Sequence, residues 1–202
     1  MLVVLEGVDG SGKTTLMHKL KPYFDDNKIK TLTTKQPIYY RDQIFDPSIN
    51  DKTRFYLLLA DRSRHNEEML IPSLNNVDIV FCDRNFFSTI VYQGEKFGVE
   101  KVLKELDWAN RVDDVLLEPN LVILIDTPAE KAAERLALRG EKNVLDTEKI
   151  SEIERRRFMY SEVLKAYGVP TLKYMNDGTL ADLDDLAAKI AFDVMEVYND
   201  FK

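Results

Sequence analysis

The sequence predicts an α/β fold of three layers, in which helices cover both faces of a doubly wound parallel β-sheet of about five strands. Short aliphatic runs alternate with amphipathic helical stretches along the chain, which is typical of strand–helix–strand units. The runs are near-continuous rather than alternating in polarity, as expected for parallel strands buried on both faces. Residues 1–202 fit one domain of ordinary size.

The aliphatic runs place five strands, at Leu2–Leu5, Ile29–Thr33, Val77–Cys82, Leu121–Ile125 and Thr171–Tyr174. Helical spacing of apolar residues predicts helices at Thr14–Phe24, Thr53–Leu70, Phe86–Phe97, Val99–Leu117, Ala129–Leu138, Thr147–Tyr167 and Leu180–Tyr198. In the first helix, Leu16, Leu20 and Phe24 recur every four residues and so share one face. Pro72 is expected to bend or end the helix before it.

Two segments interrupt this alternation. Lys35–Lys52 is polar, rich in turn formers and follows a strand, and Arg139–Asp146 carries mixed charge between two helices. Open α/β sheets bind ligands at the carboxyl ends of their strands. We therefore expect both segments to cover a substrate, the second as a short lid at about residues 139–146.

Composition and charge exclude several functions. Hydrophobic residues are 45% and charged residues 31% of the chain, which excludes disordered and collagen-like classes. Cys82 is the only cysteine, so neither an internal disulfide nor a cysteine-rich zinc module is expected. A net charge of −7 without a basic tail argues against coating nucleic acid. No export signal is visible, and no apolar run approaches the ~20 residues of a membrane span, so we expect a cytoplasmic protein.

Residues 7–14, GVDGSGKT, match the phosphate-binding motif G-x-x-x-x-G-K-[ST] and lie between a predicted strand and a predicted helix. The glycines allow successive backbone N–H groups to point at a polyphosphate, beside the positive end of the helix dipole. Lys13 is expected to reach the β- and γ-phosphates of ATP, and the Thr14 hydroxyl to bind Mg²⁺. The predicted ATP-binding residues are Gly7, Gly10, Ser11, Gly12, Lys13, Thr14 and Thr15. The motif and the sheet together predict a site for a nucleoside triphosphate.

Two acidic residues, one after the third predicted strand and one inside the motif, suggest further roles. Asp83 directly follows the third predicted strand, where a carboxylate can orient Mg²⁺ and its waters, and Arg84 can bond two phosphoryl oxygens at once. Asp9 lies inside the motif and would repel phosphate unless it faces elsewhere. Either it accepts a hydrogen bond from a hydroxyl of the second substrate, or it is an exposed loop acid.

Other polar side chains lie on predicted helices. Arg62 belongs to a charged run that, taken alone, is typical of a solvated helix face. Ser88 and Tyr92 share a face, and the amide of Gln93 can read a base edge. One or two members of a downstream basic group could close over the transferred phosphate: Arg139, Lys142, Arg155, Arg156 and Arg157.

The order and spacing of these motifs resemble the thymidylate (dTMP) kinases among the P-loop nucleoside monophosphate kinases. The segments that carry the resemblance are Leu5–Thr15, Leu57–Arg62 with His65, Cys82–Arg84 through Ser88 to Gly94, and Pro119–Leu121 leading to Asp126. The resemblance implies a P-loop kinase fold with a short lid, and Mg²⁺-dependent transfer of the γ-phosphoryl group of ATP to dTMP, giving dTDP and ADP. It also implies a homodimer.

The same resemblance implies residue roles. Asp9 would hold the deoxyribose 3′-hydroxyl and Arg84 the acceptor phosphate, while Arg62 and Gln93 would read the pyrimidine edge. Tyr92 would lie against the sugar. Asp83 would order the water shell of the metal. Because Gly10 stands where one branch of the family carries an arginine, the catalytic cation would come from the lid, from Arg139 or Lys142.

Three positions depart from the family pattern. Lys35-Gln36-Pro37 replaces Arg-Glu-Pro, so Arg41 is the nearest arginine for the acceptor phosphate. Leu58 replaces the aromatic residue that stacks on thymine, which removes roughly 1 kcal/mol of base binding. The usual lid arginine falls at Val144.

These departures keep alternatives open. Leu58 is compatible with a deoxynucleoside monophosphate kinase of relaxed base specificity. A deoxynucleoside kinase would need a carboxylate base after the second strand, where this chain has Gln36. A GTPase switch would need a late Asn-Lys-x-Asp motif, which Tyr174–Asp177 does not supply.

Overall fold

The computed structural model describes residues 1–113, 116–138, 149–179 and 182–201. Its sheet has five strands: β1 (Leu2–Glu6), β2 (Thr31–Lys35), β3 (Ile79–Asp83), β4 (Leu121–Asp126) and β5 (Thr171–Met175). Their order is β2-β3-β1-β4-β5, and every neighbouring pair is parallel. The predicted α/β class with a parallel sheet is confirmed.

The helices are α1 (Lys13–Asp26), α2 (Arg41–Ile44), α3 (Asp51–His65), α4 (Ile71–Leu74), α5 (Phe86–Phe97), α6 (Val99–Asp113), α7 (Ala129–Leu138), α8 (Ile150–Tyr167) and α9 (Asp182–Phe201). The long helix predicted before Pro72 is divided. α3 ends at His65, a π-helical turn spans Asn66–Leu70, and α4 begins just before the proline. Since Pro72 has no N–H to donate to the preceding turn, regular α-helical bonding cannot run through it.

The second strand lies two residues later than predicted. β2 begins at Thr31 rather than Ile29, because its register aligns Thr31–Lys35 with Ile79–Asp83 of β3. Lys35 therefore belongs to a strand, and the segment that follows it contains the short helix α2.

Two apolar clusters place helices on both faces of the sheet. On one face, Leu16 and Phe24 of α1 and Ile190 of α9 pack with alternate residues of the central strands. On the other face, Phe87 of α5 and Tyr160 of α8 belong to a second cluster, with Val122 and Leu124 of β4. This arrangement gives the three predicted layers. Within the described ranges, no helix combines the length and apolarity needed to cross a bilayer.

The carboxyl ends of the strands share one edge of the sheet. The glycine-rich loop follows β1, Gln36 follows β2, and Asp83 and Arg84 stand at and after the end of β3. In parallel sheets this edge is where ligands bind, and the polar side chains described next converge there.

Candidate active site

The loop after β1 has a backbone that only glycine fits at two positions. Gly10 has φ +79°, and a Cβ on it would lie 2.4 Å from the carbonyl oxygen of Ala132. Gly12 has φ +91°, and a Cβ would lie 2.7 Å from Nδ2 of Asn176. Left-handed backbone and close neighbours both exclude a side chain. The loop is thus pressed against α7 and the residue after β5.

Lys13 is buried at the start of α1. Its Nζ donates to the carbonyl oxygens of Gly7 (2.9 Å) and Val8 (2.8 Å) and to Oγ of Ser11 (3.2 Å). Burial, together with the positive charge of Arg84, lowers the pKa of Lys13 to about 8. The ammonium bonds its own loop here, and a polyphosphate would compete for the same three donors.

Thr14 and Asp83 meet at the mouth of the loop. The Thr14 hydroxyl donates to Oδ2 of Asp83 over 2.6 Å. Oδ1 of Asp83 is buried and has no hydrogen-bond partner among the described residues. A hydroxyl and a carboxylate are the hard oxygen ligands that Mg²⁺ prefers, and Mg²⁺ is usually held by one or two carboxylates together with substrate phosphates. The pair therefore fits Mg²⁺, although the described residues contain no cluster of three or more metal-ligating side chains.

Asp9 is paired with one cation and one hydroxyl inside the cavity instead of standing as an exposed loop acid. Its Oδ1 accepts from Nη2 of Arg84 over 2.5 Å, and its Oδ2 accepts from the Tyr92 hydroxyl over 2.9 Å. Burial disfavours the charged carboxylate, but the charges of Arg84 and Lys13 and the bond from Tyr92 outweigh burial and lower the pKa of Asp9. Asp9 is therefore an anion at neutral pH.

The other side of Arg84 is held by a buried network. Nη1 of Arg84 donates to Oγ of Ser88 (2.9 Å) and to the hydroxyl of Tyr160 (3.0 Å). Ser88 in turn donates to Oε2 of Glu6 over 2.6 Å. Glu6 is fully buried, and burial raises its pKa. Sequence reasoning missed Glu6 and Tyr160 as site residues; only the position of Glu6, at a strand end before the glycine loop, carried a signal.

Arg62 lies on the covered face of α3. Its charged neighbours, taken alone, favour a solvated face, but Arg62 is 4% exposed, and Asp61 and His65 are buried too. Burial lowers the pKa of Arg62 to about 10. The carboxylate of Asp61 accepts from the backbone N–H groups of Ile38 and Tyr40, so this face of the helix holds the segment after β2.

Two buried polar atoms, one of Arg62 and one of Gln93, have no protein partner in the described ranges. Nε of Arg62 donates to Gln36 (3.1 Å) and Nη2 to Thr89 (2.8 Å), but Nη1 bonds no described residue. Oε1 of Gln93, one turn beyond Thr89 on α5, is also buried without a partner. One donor and one acceptor thus remain for a ligand.

These groups border one cavity of about 580 Å³. Of the residues predicted for the site, the cavity is lined by Asp9, Gly10, Gly12, Lys13, Thr14, Arg41, Leu58, Arg62, Asp83, Arg84, Ser88, Tyr92 and Gln93. Gly7, Ser11 and Thr15 belong to the loop and the first turn of α1 but not to the lining. Arg139 and Lys142 lie outside the described residues.

Of the positions that depart from the family pattern, Lys35–Pro37 and Leu58 line this cavity, and Val144 lies outside the described residues. Leu58 is half-buried in its wall. The guanidinium of Arg41 lies over the ring of Phe45, with 4.7 Å between its Cζ and the ring centroid. Phe55, one turn before Leu58, is buried against Phe97.

The arginines of α8 are held by carboxylates. Arg155 and Arg156 both pair with Glu95, and all three line the cavity. The guanidinium of Arg156 also lies 4.5 Å from the ring centroid of Tyr92. Arg157 pairs instead with Asp126 at 2.7 Å, so the three consecutive arginines have different surroundings.

Comparisons with known proteins agree with this geometry. A sequence model described as thymidylate kinase matches residues 5–176. A probable thymidylate kinase of Pyrococcus horikoshii is 31% identical over 93% of this chain and 92% of its own length. A thymidylate kinase of Caldicellulosiruptor saccharolyticus is 31% identical over 96% of this chain and 97% of its own length. A probable thymidylate kinase of Pyrococcus abyssi is 32% identical over 76% of this chain. The P-loop, the acceptor-side arginines and these matches place the chain in the thymidylate kinase family.

Proposed function

We propose that this chain is a thymidylate kinase, which transfers the γ-phosphoryl group of ATP to dTMP in the presence of Mg²⁺. The observation that carries the choice of thymine over cytosine is the pair of buried atoms left for a ligand, the Nη1 donor of Arg62 and the Oε1 acceptor of Gln93. Thymine presents the complementary edge, an O4 acceptor beside an N3–H donor. Cytosine presents an amino donor beside a ring-nitrogen acceptor, which would leave both protein atoms unpaired.

At the donor end, the loop and Lys13 would bind the ATP phosphates. The backbone N–H groups point into the loop, and the ammonium of Lys13 neutralises charge on the transferred group. Thr14 and Asp83 would hold Mg²⁺, either directly or through water. When bound, the ion offsets negative charge on the β- and γ-phosphates.

At the acceptor end, Arg84 would bind the phosphate of dTMP. Ser88, Tyr160 and Asp9 fix its guanidinium from two sides, which reduces the rotamer entropy lost on binding. Arg41 would supply a second cation. The phosphate of dTMP is already an anionic nucleophile at neutral pH, so the residues need only hold it in line and exclude water.

Asp9 and Tyr92 would contact the sugar. Asp9 accepts hydrogen bonds on both carboxylate oxygens, and a carboxylate has further lone pairs for the 3′-hydroxyl of the deoxyribose. The ring of Tyr92 would lie against the sugar face. The cation of Arg156 over that ring restricts where the ring can move.

Other parts of the proposal come from the family resemblance. By that resemblance residues 1–202 would be one kinase domain, and residues 139–146, which lie outside the described residues, would act as a lid whose Arg139 or Lys142 neutralises charge on the transferred group. Arg155, which lines the cavity from α8, is the alternative source of this cation. The chain forms a homodimer, which sedimentation velocity tests directly. The cytoplasmic location stays a prediction of the sequence.

The experiment measures ADP release from ATP and Mg²⁺ with six acceptors: dTMP, dUMP, dCMP, dGMP, dAMP and thymidine. We expect dTMP to be preferred and dCMP to be at least about tenfold poorer, because a mismatched edge leaves two buried polar atoms unpaired. Equal rates on several monophosphates would show a relaxed base site, and activity on thymidine alone would overturn the phosphate-acceptor mechanism.

A matched pair of variants tests the base contact itself. Arg62→Met should lower the preference for dTMP over dCMP, because it removes the Nη1 donor and leaves only the Oε1 acceptor of Gln93. Arg64→Met, on the exposed face of the same helix, should leave the preference unchanged. An unchanged preference in Arg62→Met would mean that another group reads the base.

A further inference from the structure

A chain of hydrogen bonds runs from Arg62, on the wall of the cavity, through Gln36, which also lines the cavity, to His65 and Thr34. Thr34 Oγ1 lies 3.0 Å from Sδ of Met69 and 2.8 Å from Nε2 of His65. Nδ1 of His65 lies 2.9 Å from Nε2 of Gln36, and Oε1 of Gln36 lies 3.1 Å from Nε of Arg62. Thr34, His65, Gln36 and Arg62 are all buried. None of the three residues behind Arg62 is needed for phosphoryl transfer as described above.

Strand β2 and helix α3 bring the residues of this hydrogen-bond chain together. Thr34 is in β2 and Gln36 follows its end, so the two side chains lie on the same side of the extended backbone. Arg62 and His65 are three residues apart on α3 and share one helix face. The strand end and the helix face therefore pack against each other through polar side chains.

The direction of every bond in the chain is determined by its ends. The thioether of Met69 has no hydrogen, so the Thr34 hydroxyl donates to it and accepts from His65. His65 must therefore carry its proton on Nε2, which leaves Nδ1 as an acceptor. Gln36 then turns its NH₂ group to His65 and its carbonyl oxygen to Arg62, where the guanidinium can only donate.

We propose that Gln36 and His65 are positioning residues, which fix the guanidinium of Arg62 so that its Nη1 faces the thymine edge of the cavity. With Nε bound to Gln36 and Nη2 to Thr89, one rotamer of Arg62 remains. A reversed Gln36 amide would set its NH₂ group against Nε, and the tautomer of His65 prevents this reversal. The inference rests on the proposed function for its ligand but not for its geometry.

Nitrogen NMR of the histidine rings tests the geometry without any activity. The chain has two histidines, and His18 is exposed on α1, so His18→Asn assigns the remaining signals to His65. We expect His65 at pH 7 to show a protonated Nε2 and an unprotonated Nδ1 that accepts a hydrogen bond. A proton on Nδ1, or averaged signals from a ring exchanging freely between tautomers, would overturn the proposal.

Steady-state kinetics of Gln36→Met and a matched control test whether the hydrogen-bond chain positions Arg62 for dTMP binding. Gln36→Met keeps the length of the side chain but loses both hydrogen bonds, so the KM for dTMP should rise about tenfold or more while the KM for ATP stays within about twofold. The preference of Gln36→Met for dTMP over dCMP should also fall. Gln43→Met, at an exposed position of α2, is the matched control and should change neither KM. Equal changes in both KM values for Gln36→Met would indicate a general loss of structure and contradict the proposal.

A conservative variant separates positioning from packing and remains informative if Gln36→Met does not fold. Gln36→Glu keeps an oxygen facing Arg62 but has no hydrogen to donate to Nδ1. We expect it to retain the KM for dTMP within about threefold and to move a proton onto Nδ1 of His65. An unchanged His65 tautomer in Gln36→Glu would refute the directional chain.

The two proposals fail in distinguishable ways. If the wild-type protein does not phosphorylate dTMP, the proposed function is wrong while the NMR result still decides the His65 tautomer. If dTMP is phosphorylated but Nδ1 of His65 carries the proton, the proposed function stands and the positioning role is wrong.

Discussion

The two ends of the cavity are built in different ways. At the donor end, the described partners of Lys13 all belong to its own loop, and left-handed glycines let the backbone itself form the cradle. At the acceptor end, Arg84 is held by Asp9 and Tyr160, which lie 75 and 76 residues away along the chain. The donor end is thus a local motif, whereas the acceptor end exists only when the whole sheet has assembled.

This difference explains where the chain departs from its family. Gln36 and Leu58 lie at the acceptor end, and the P-loop carries no departure from its motif. At Gly7 and Gly12 a backbone cradle for phosphate has little room for variation, because a Cβ would lie 2.4 Å from the carbonyl oxygen of Ile125 or 2.7 Å from Nδ2 of Asn176. A side-chain pocket can exchange one hydrogen-bond partner for another while keeping the same cation in place.

The largest effect is expected at the donor end. Lys13→Ala should lower kcat/KM about a thousandfold, because charge on the transferred phosphoryl group loses its cation. Steady-state kinetics with ATP and dTMP measure this. Lys21→Ala removes an exposed lysine of the same helix, paired with Asp25, and should have almost no effect. Near-normal turnover in Lys13→Ala would remove the P-loop from the mechanism.

A glycine pair tests whether the donor end depends on backbone. Gly10 and Gly98 have similar φ angles, +79° and +88°, but a Cβ on Gly98 would meet nothing within 4 Å. Gly98→Ala should cost about 1 kcal/mol of unfolding free energy from backbone strain alone. Gly10→Ala adds the collision with Ala132 and should cost about 3 kcal/mol and raise the KM for ATP. Equal costs in denaturant unfolding would show that the loop moves freely away from α7.

Asp9→Asn tests the acceptor end and should raise the KM for dTMP about tenfold while changing the KM for ATP little. It should also lower stability at neutral pH, with a definite pH dependence. The pKa of Asp9 is lower in the folded protein than its ordinary value of 3.8. The carboxylate therefore stabilises the fold above about pH 4, and this stabilisation is lost as the pH falls towards the folded pKa.

Urea unfolding of wild type and Asp9→Asn from pH 7 to pH 3 measures how the difference in their unfolding free energies depends on pH. The difference in unfolding free energy should be largest at pH 7 and should shrink in acid. A difference that grows as the pH falls would contradict the ion pair with Arg84, and equal shifts in both KM values would indicate a general electrostatic role for Asp9.

The donor end of the site could be predicted from the sequence, but the acceptor end could be predicted only in part. The glycine motif, Lys13 and Thr14 are contiguous, so spacing alone identifies them. Asp83 and Arg84 follow a recognisable strand. Ser88, which accepts from Arg84, is by contrast bonded to Glu6 and Tyr160, 82 and 72 positions away along the chain. No local pattern encodes such a pairing.

For Arg62, only the family resemblance predicts a place in the site. Its helical neighbourhood alternates charge in the manner of a solvated face, and a single sequence does not show which other element covers that face. The cover comes from β2, which itself lies two residues later than predicted. The polar chain from Thr34 through His65 depends on that register, because a shift of one residue would turn Thr34 and Gln36 to the other face of the sheet.

The smallest effect is expected where the acceptor end lacks an aromatic ring. Leu58→Phe should lower the KM for dTMP about fivefold, because a ring facing the base adds roughly 1 kcal/mol of stacking, and it should leave the KM for ATP unchanged. Tyr56→Phe, at an exposed position of the same helix, is the control. If Leu58→Phe instead weakens dTMP binding, the base does not lie along this wall, and the tested contact moves to Phe45. A gain shared equally by dTMP and dCMP would separate the two tasks of the pocket, with position 58 supplying affinity and Arg62 and Gln93 supplying the choice of base.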